Sequence, residues 1–235
     1  MSLINEKYEK VVCINLKERK DKYEFMQKQF EKHDIKVEWY HPVIPGYAAK
    51  LIEPYINSLQ NKELRFNRQF PNELGTMQSF YSVIKEGIID GIQRLFIFED
   101  DFQMHSRWDE LLPKYLDTVP NDWDILQLYS FMTQLNPENT KVSARWIKGF
   151  KSWSHIAIGM NKRYMEEYIK QIDNCPRIGD LVTYHMMENG YNSYIAIPPL
   201  GIPSKKFISN IRGDNKNYDK IQNVFTLGLN ENLYQ

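Results

Sequence analysis

The stretch RLFIFEDDFQMH, residues 94–105, decides the fold. Leu95, Phe96, Ile97 and Phe98 make an apolar run of the kind that fills a central strand, and the run ends directly in Glu99, Asp100 and Asp101. Three adjacent carboxylates at the end of a buried segment are costly. Two unit charges about 5 Å apart repel by about 3 kcal/mol at an effective dielectric near 20. A bound divalent cation is the obvious compensation; an acidic turn that caps the next segment is the plainer alternative. In open α/β sheets ligands are met beyond the carboxyl ends of the strands, which is where this cluster falls. Hard oxygen donors with no cysteine nearby suit Mg²⁺ or Mn²⁺, which bridge one or two carboxylates to phosphate oxygens and neutralise a departing diphosphate.

Working outward, short apolar runs alternate with amphipathic stretches, a pattern that predicts an α/β sheet with helices against it. VVCINL (11–16) reads as the first strand, and DKYEFMQKQFEKH (21–33) as a basic helix with Tyr23, Met26 and Phe30 at helical spacing. VEWYHPV (37–43) is a second strand, closed by Pro42 and the turn at Pro45-Gly46. Residues 47–72 show no clean period and read as loop and short helix. From Glu73 to Asp90 the positions Leu74, Met77, Phe80, Tyr81, Ile84 and Ile88 share a helical face, with Asn72 as N-cap. Further along, 108–117 reads as helix, 124–129 as strand and 131–143 as a polar loop. RWIKGF and HIAIGM read as strands, KRYMEEYIKQI and IGDLVTYHMMENG as helices, and YNSYIAIP as the last strand. The chain from Ser204 on is polar and weakly patterned. One domain is the simplest reading of 235 residues without repeats or low-complexity tracts.

Composition narrows the function classes. Thirty Lys and Arg balance thirty Asp and Glu, which argues against a polybasic nucleic-acid binder. The first residues carry charges throughout, with no apolar run that suits a signal peptide, and no segment nears the roughly 20 apolar residues of a membrane span. Cys13 and Cys175 alone make neither a disulfide framework nor a thiolate metal site. The expectation is a soluble, cytoplasmic protein, with peripheral membrane association left open.

The motifs CINLKERKDK, ELGTMQSF, LFIFEDDFQMH and WDILQLY, in this order, resemble glycosyltransferase family 25, which includes bacterial lipooligosaccharide glycosyltransferases and collagen galactosyltransferases. Ile14-Asn15-Leu16 matches the family's I-N-L, and Glu99-Asp100-Asp101 its E-D-D. In the G-C-x-x-S-H helix Gly75 and Ser79 match, while Thr76 stands for the Cys and Phe80 for the His. FISNIRG (207–213) is similar to an ending with S-D-I, Asn210 replacing Asp. The likeness spans most of residues 9–213, with 45–72 poorly matched.

The resemblance implies a GT-A fold, a Rossmann-like mixed sheet flanked by helices on both faces. It also implies an acidic D-x-D-type motif that holds Mn²⁺ or Mg²⁺ and a nucleotide-sugar diphosphate. On that reading Asp101 is the direct metal ligand, Asp100 assists the metal or orients its neighbours, and Glu99 reaches the donor ribose or sugar. Asn15, Leu16 and Arg19 lie where nucleoside and phosphate belong, and Ser79 lies near the donor site. Gly46 matches a position where the backbone passes close to the nucleoside. Lys17 and Lys20 read as a solvated helix start.

An inverting transferase needs a base for the acceptor hydroxyl. Asp180 resembles the Asp of the family's P-x-D segment, though it serves equally as an N-cap; Glu188 is the weaker alternative. His105, His155 and His185 are further metal-ligand candidates against an ordinary structural role, and Tyr129 and Trp153 are stacking candidates against plain core packing. The expected activity is metal-dependent, inverting transfer of galactose or glucose from a UDP-sugar to a glycan, glycolipid or hydroxylated protein. The alternatives are a GT-A-fold nucleotide-sugar binder without catalysis and a nucleotidyltransferase, the latter disfavoured because INLKERKD has no glycine.

Overall fold

A computed structural model describes residues 1–42, 71–132, 142–149, 152–174, 179–207 and 233–234, with backbone alone at 71–74, 131–132 and 152–153. The elements in chain order begin with α1 (Leu3–Lys7), β1 (Lys10–Ile14), α2 (Lys20–Lys32), β2 (Glu38–Tyr40), α3 (Pro71–Ile89), β3 (Arg94–Glu99), β4 (Phe102–Met104) and α4 (Trp108–Leu116). They continue with β5 (Ile125–Gln127), β6 (Phe131–Met132), β7 (Trp146–Lys148), β8 (Ser152–Trp153), β9 (Ala157–Asn161), α5 (Lys162–Asn174), α6 (Gly179–Glu188), β10 (Ser193–Ala196) and β11 (Gly201–Pro203).

The RLFIF segment is the third strand of a seven-stranded mixed sheet ordered β2-β1-β3-β9-β5-β10-β7. It runs parallel to β1 and antiparallel to β9. Side chains alternate across a strand, so β3 feeds two separate cores. Phe96 and Phe98 pack with Val11, Cys13, Met26, Phe30 and Trp108 on the face covered by α1, α2 and α4. Leu95 and Ile97 pack with Val12, Val83, Ile84, Tyr164 and Val182 on the face covered by α3, α5 and α6. All four are at most 1% exposed, and full burial of each such side chain stabilises by about 1.5–3 kcal/mol. Mixed strands with helices on both faces are the α/β arrangement expected from the sequence.

Four details depart from the sequence reading. α3 begins at Pro71, so Asn72 lies inside the first turn and does not cap it; Pro fits a first helical position because its missing N–H has no partner there anyway. The short helix α1 was not signalled, being a single capped turn. β4 and β11 pair antiparallel (Phe102↔Pro203, Met104↔Gly201) as a two-stranded ribbon, too short to show a period. Phe131 and Met132, read as loop, pair as β6 with β8. Gly46, Cys175 and Asn210, and the stretches 47–70 and 133–141, lie outside the described residues. No helix among the described residues is long and apolar enough to cross a membrane.

Candidate active site

Strand register builds the site. Ile14 of β1 stands opposite Glu99 of β3, so the next residues, Asn15 and Asp100, leave the sheet side by side. Asn15 Nδ2 donates to Asp100 Oδ2 at 3.0 Å. From the other flank, Glu99 N–H donates to Ile156 O at 2.8 Å, which brings the start of β9 to the same edge. Ser204 N–H, just past β11, donates to Asp101 O at 2.7 Å and fixes the main chain of the motif from above.

The charge that compensates the cluster comes from the chain itself. Lys22, in the first turn of α2, is 1% exposed, and its Nζ donates to Asp100 Oδ1 at 2.8 Å and Asp101 Oδ2 at 2.9 Å. At an effective dielectric near 20 each attraction is on the order of 6 kcal/mol, against about 3 kcal/mol for one carboxylate repulsion, and desolvation of the ions takes back part of the gain. Attraction wins. Burial alone would lower the Lys22 pKa, but Asp101 and Asp100 outweigh it and the net shift is upward. The sequence reading missed this residue by tracing the helix face through Tyr23. Lys22, Met26 and Phe30 recur every four positions and form the buried face, which was the available signal.

Glu99 and Asp100 behave differently from free carboxylates. Burial, followed by the charges of Asp101, Asp180 and Asp100, pushes the Glu99 carboxyl well above the usual range. Burial also raises Asp100, opposed chiefly by Lys22. Among the described residues, neither the Glu99 carboxyl nor Asp101 Oδ1 takes part in a hydrogen bond or ion pair, whereas both Asp100 oxygens are occupied. That leaves Asp101 and Glu99 as the oxygen donors for a cation. No group of three or more His, Cys, Asp and Glu among the described residues is arranged to hold a metal ion. Two carboxylate donors do not make an all-protein cage; a hard cation there would need phosphate oxygens or water to complete its sphere.

Asp180 is brought to the same edge by α6, whose first residue, Gly179, permits a close approach. A Cβ there would lie 2.7 Å from His155 Nδ1 and 2.9 Å from Tyr168 Oη. Asp180 Oδ1 is 3.8 Å from His155 Nε2, and the Asp180 side chain is 29% exposed, so it is open to a substrate. His155 is buried, with Nε2 2.5 Å from Thr183 Oγ1, and Tyr164 Oη lies 2.5 Å from the same hydroxyl. Burial lowers the His155 pKa, opposed by Asp180, and favours the neutral imidazole. Phe80 packs on this histidine with ring centroids 5.4 Å apart.

The remaining sequence candidates divide. Ser79 is buried and donates to Gly75 O at 2.6 Å within α3. Arg19 forms a two-pronged pair with Asp21 (2.9 and 2.8 Å) and sits over the Phe207 ring at 5.9 Å, near the cluster. Leu16 is half-buried beside Asn15; Lys17 and Lys20 are exposed. His105 accepts from Arg107 N–H and packs edge-on against Tyr234 at 5.0 Å, a structural setting. His185 lies 3.2 Å from Asn189 Nδ2 on α6, Glu188 is exposed, and Tyr129 is buried in the core. The Trp153 side chain and Gly46 lie outside the described residues.

The profile of glycosyltransferase family 25 (LPS biosynthesis protein) matches residues 8–191, which contain these site residues except Ser204, Phe207 and Tyr234. The chain belongs to glycosyltransferase family 25. Human procollagen galactosyltransferase 2 is 24% identical over 132 residues, covering 52% of this chain and 20% of the relative, so the match spans about a fifth of that protein's length. Two solved structures are similar at low identity. A mannose-1-phosphate geranyltransferase from Thermus thermophilus shares 11% identity with a TM-score of 0.41, covering 79% of this chain and 72% of that one. Mouse xyloside xylosyltransferase 1 in its apo form shares 12% with a TM-score of 0.38, covering 79% and 71%. The family 25 motifs thus map onto one edge of the sheet: I-N-L at the end of β1, E-D-D at the end of β3.

Proposed function

We propose that this family 25 chain transfers a hexose, galactose or glucose, from a UDP-sugar to a hydroxyl of a glycan, glycolipid or hydroxylated protein, with inversion. The observation that carries the reading is the convergence of Asp101, Glu99 and Asp180 at one sheet edge, with Asp101 Oδ1 and the Glu99 carboxyl not engaged by the protein among the described residues. Asp101 and Glu99 would hold a Mn²⁺ or Mg²⁺ ion, which when bound supplies positive charge for the diphosphate leaving group. Asn15 and Lys22 keep Asp100 and Asp101 in place; Leu16, Arg19 and the Ser79 region border the nucleoside side. Asp180 accepts the proton of the acceptor hydroxyl as its oxygen bonds to the anomeric carbon, and the bond from that carbon to the phosphate oxygen breaks with both electrons leaving on UDP.

The test is UDP release from a panel of UDP-sugars with hydroxyl acceptors. Asp101→Ala should abolish release, and Asp180→Asn should lower kcat by about 10²–10⁴-fold with KM for donor little changed. Full activity in Asp101→Ala sinks the metal assignment. A second reading, a nucleotide-sugar binder without transfer, is motivated by Phe80, which is 1% exposed and packed on His155 where the family pattern has His. UDP binding by calorimetry without any UDP release would favour it.

A further inference from the structure

Lys22 is unusual among the charged groups of this chain. It is almost fully buried and is bonded to two carboxylates at once, Asp100 at 2.8 Å and Asp101 at 2.9 Å. The Phe207 ring, 6.0 Å from Nζ, flanks it on a further side. Of the four aspartate oxygens, Lys22 takes two and Asn15 a third, which among the described residues leaves Asp101 Oδ1. The two aspartates and the lysine together carry one net negative charge. A divalent cation arriving alone therefore meets, among the described residues, only the Glu99 carboxyl and one Asp101 oxygen whose carboxylate already serves an ammonium, too few ligands without phosphate oxygens. A nucleoside diphosphate brings the negative charge and the oxygen ligands that this arrangement lacks.

We propose that Lys22 is a positioning residue, a resident counter-ion that makes divalent-cation binding at the end of β3 conditional on a nucleoside diphosphate. The inference rests on the metal-assisted reading above and adds an order to it. The carboxylates are held in place before any ligand arrives, and cation and nucleotide then bind as a pair. Because coupling between two ligands is reciprocal, the factor by which nucleotide tightens the cation is the factor by which cation tightens the nucleotide. Removing the ammonium frees an Asp101 oxygen and a negative charge, so the cation should then bind without nucleotide.

The test measures Mn²⁺ affinity by electron paramagnetic resonance of the free ion, with and without UDP, on the full chain. The wild type should bind Mn²⁺ at least ten-fold more tightly with UDP than without. Lys22→Met should bind Mn²⁺ alone at least ten-fold more tightly than wild type, with the UDP coupling reduced by a similar factor, while Lys22→Arg should behave as wild type. Lys22→Gln keeps a hydrogen-bond donor without the charge and serves if the Met variant does not fold. It should gain more melting temperature from Mn²⁺ alone than wild type does. Lys22→Met or Lys22→Gln binding Mn²⁺ no more tightly than wild type overturns the role of Lys22 while leaving the metal site standing. Wild type that binds no Mn²⁺ even with UDP overturns the metal reading itself, and the inference with it.

Discussion

At the scale of single residues the chemistry is set by how each charge is matched. Lys22 pairs with two carboxylates from inside the fold and offsets one of their charges, and His155 stays neutral because it is buried against Thr183 and Phe80. The histidine has a consequence for stability against pH. Its folded pKa lies below the ordinary value of 6.5, so on acidification the unfolded chain takes up this proton first. The contribution is complete above about pH 6.5 and is lost as pH falls below that value toward the lower folded pKa. The melting temperature should therefore drop between pH 7 and pH 5 by more in the wild type than in His155→Gln. Identical pH profiles for the two proteins would count against a buried neutral imidazole. The sequence disclosed the acidic residues plainly, since three carboxylates directly after an apolar run stand out, although an acidic capping turn would read the same. Lys22 and Thr183 were hidden for a physical reason: a lysine in a basic helix and a threonine in an amphipathic one look solvated until a neighbouring strand end shows what faces them.

Elements meet here through close approaches that tolerate little change. Gly159 in β9 lies under Tyr8, whose ring stands edge-on to Phe96 with centroids 5.0 Å apart. A Cβ at residue 159 would run into the Tyr8 hydroxyl and fall 2.7 Å from Cζ. Gly159→Ala is expected to lower unfolding free energy by about 1–3 kcal/mol through overpacking, and an unmoved urea midpoint would refute the contact. Ile97→Ala in the middle of β3 should cost more, about 2–5 kcal/mol, because it opens a cavity in the core that also seats Val83 and Tyr164. Long periodic elements such as α2, α3 and α5, and the apolar run of β3, were legible because their patterns repeat over several turns or alternate cleanly. The β4–β11 ribbon was not. Three residues on each side carry no period, and their pairing across nearly a hundred positions is a tertiary fact. That ribbon leads into Ser204, which holds the main chain at Asp101.

For the whole molecule, the mixed sheet places the end of β1, the end of β3 and the start of α6 at one edge, and the family 25 motifs fall on that edge. Sheet class and the position of the acidic motif followed from alternation of apolar runs and helices, whereas the strand order did not, because only packing decides which edges pair. The central claim, that the carboxylate edge at the end of β3 is a donor site for transfer, is tested most directly by UDP release from UDP-galactose and UDP-glucose with hydroxyl acceptors, wild type against Asp101→Ala. Release by the wild type, with loss of at least a hundred-fold in the variant at an unchanged melting temperature, is the predicted result. Equal release by the two proteins would contradict it.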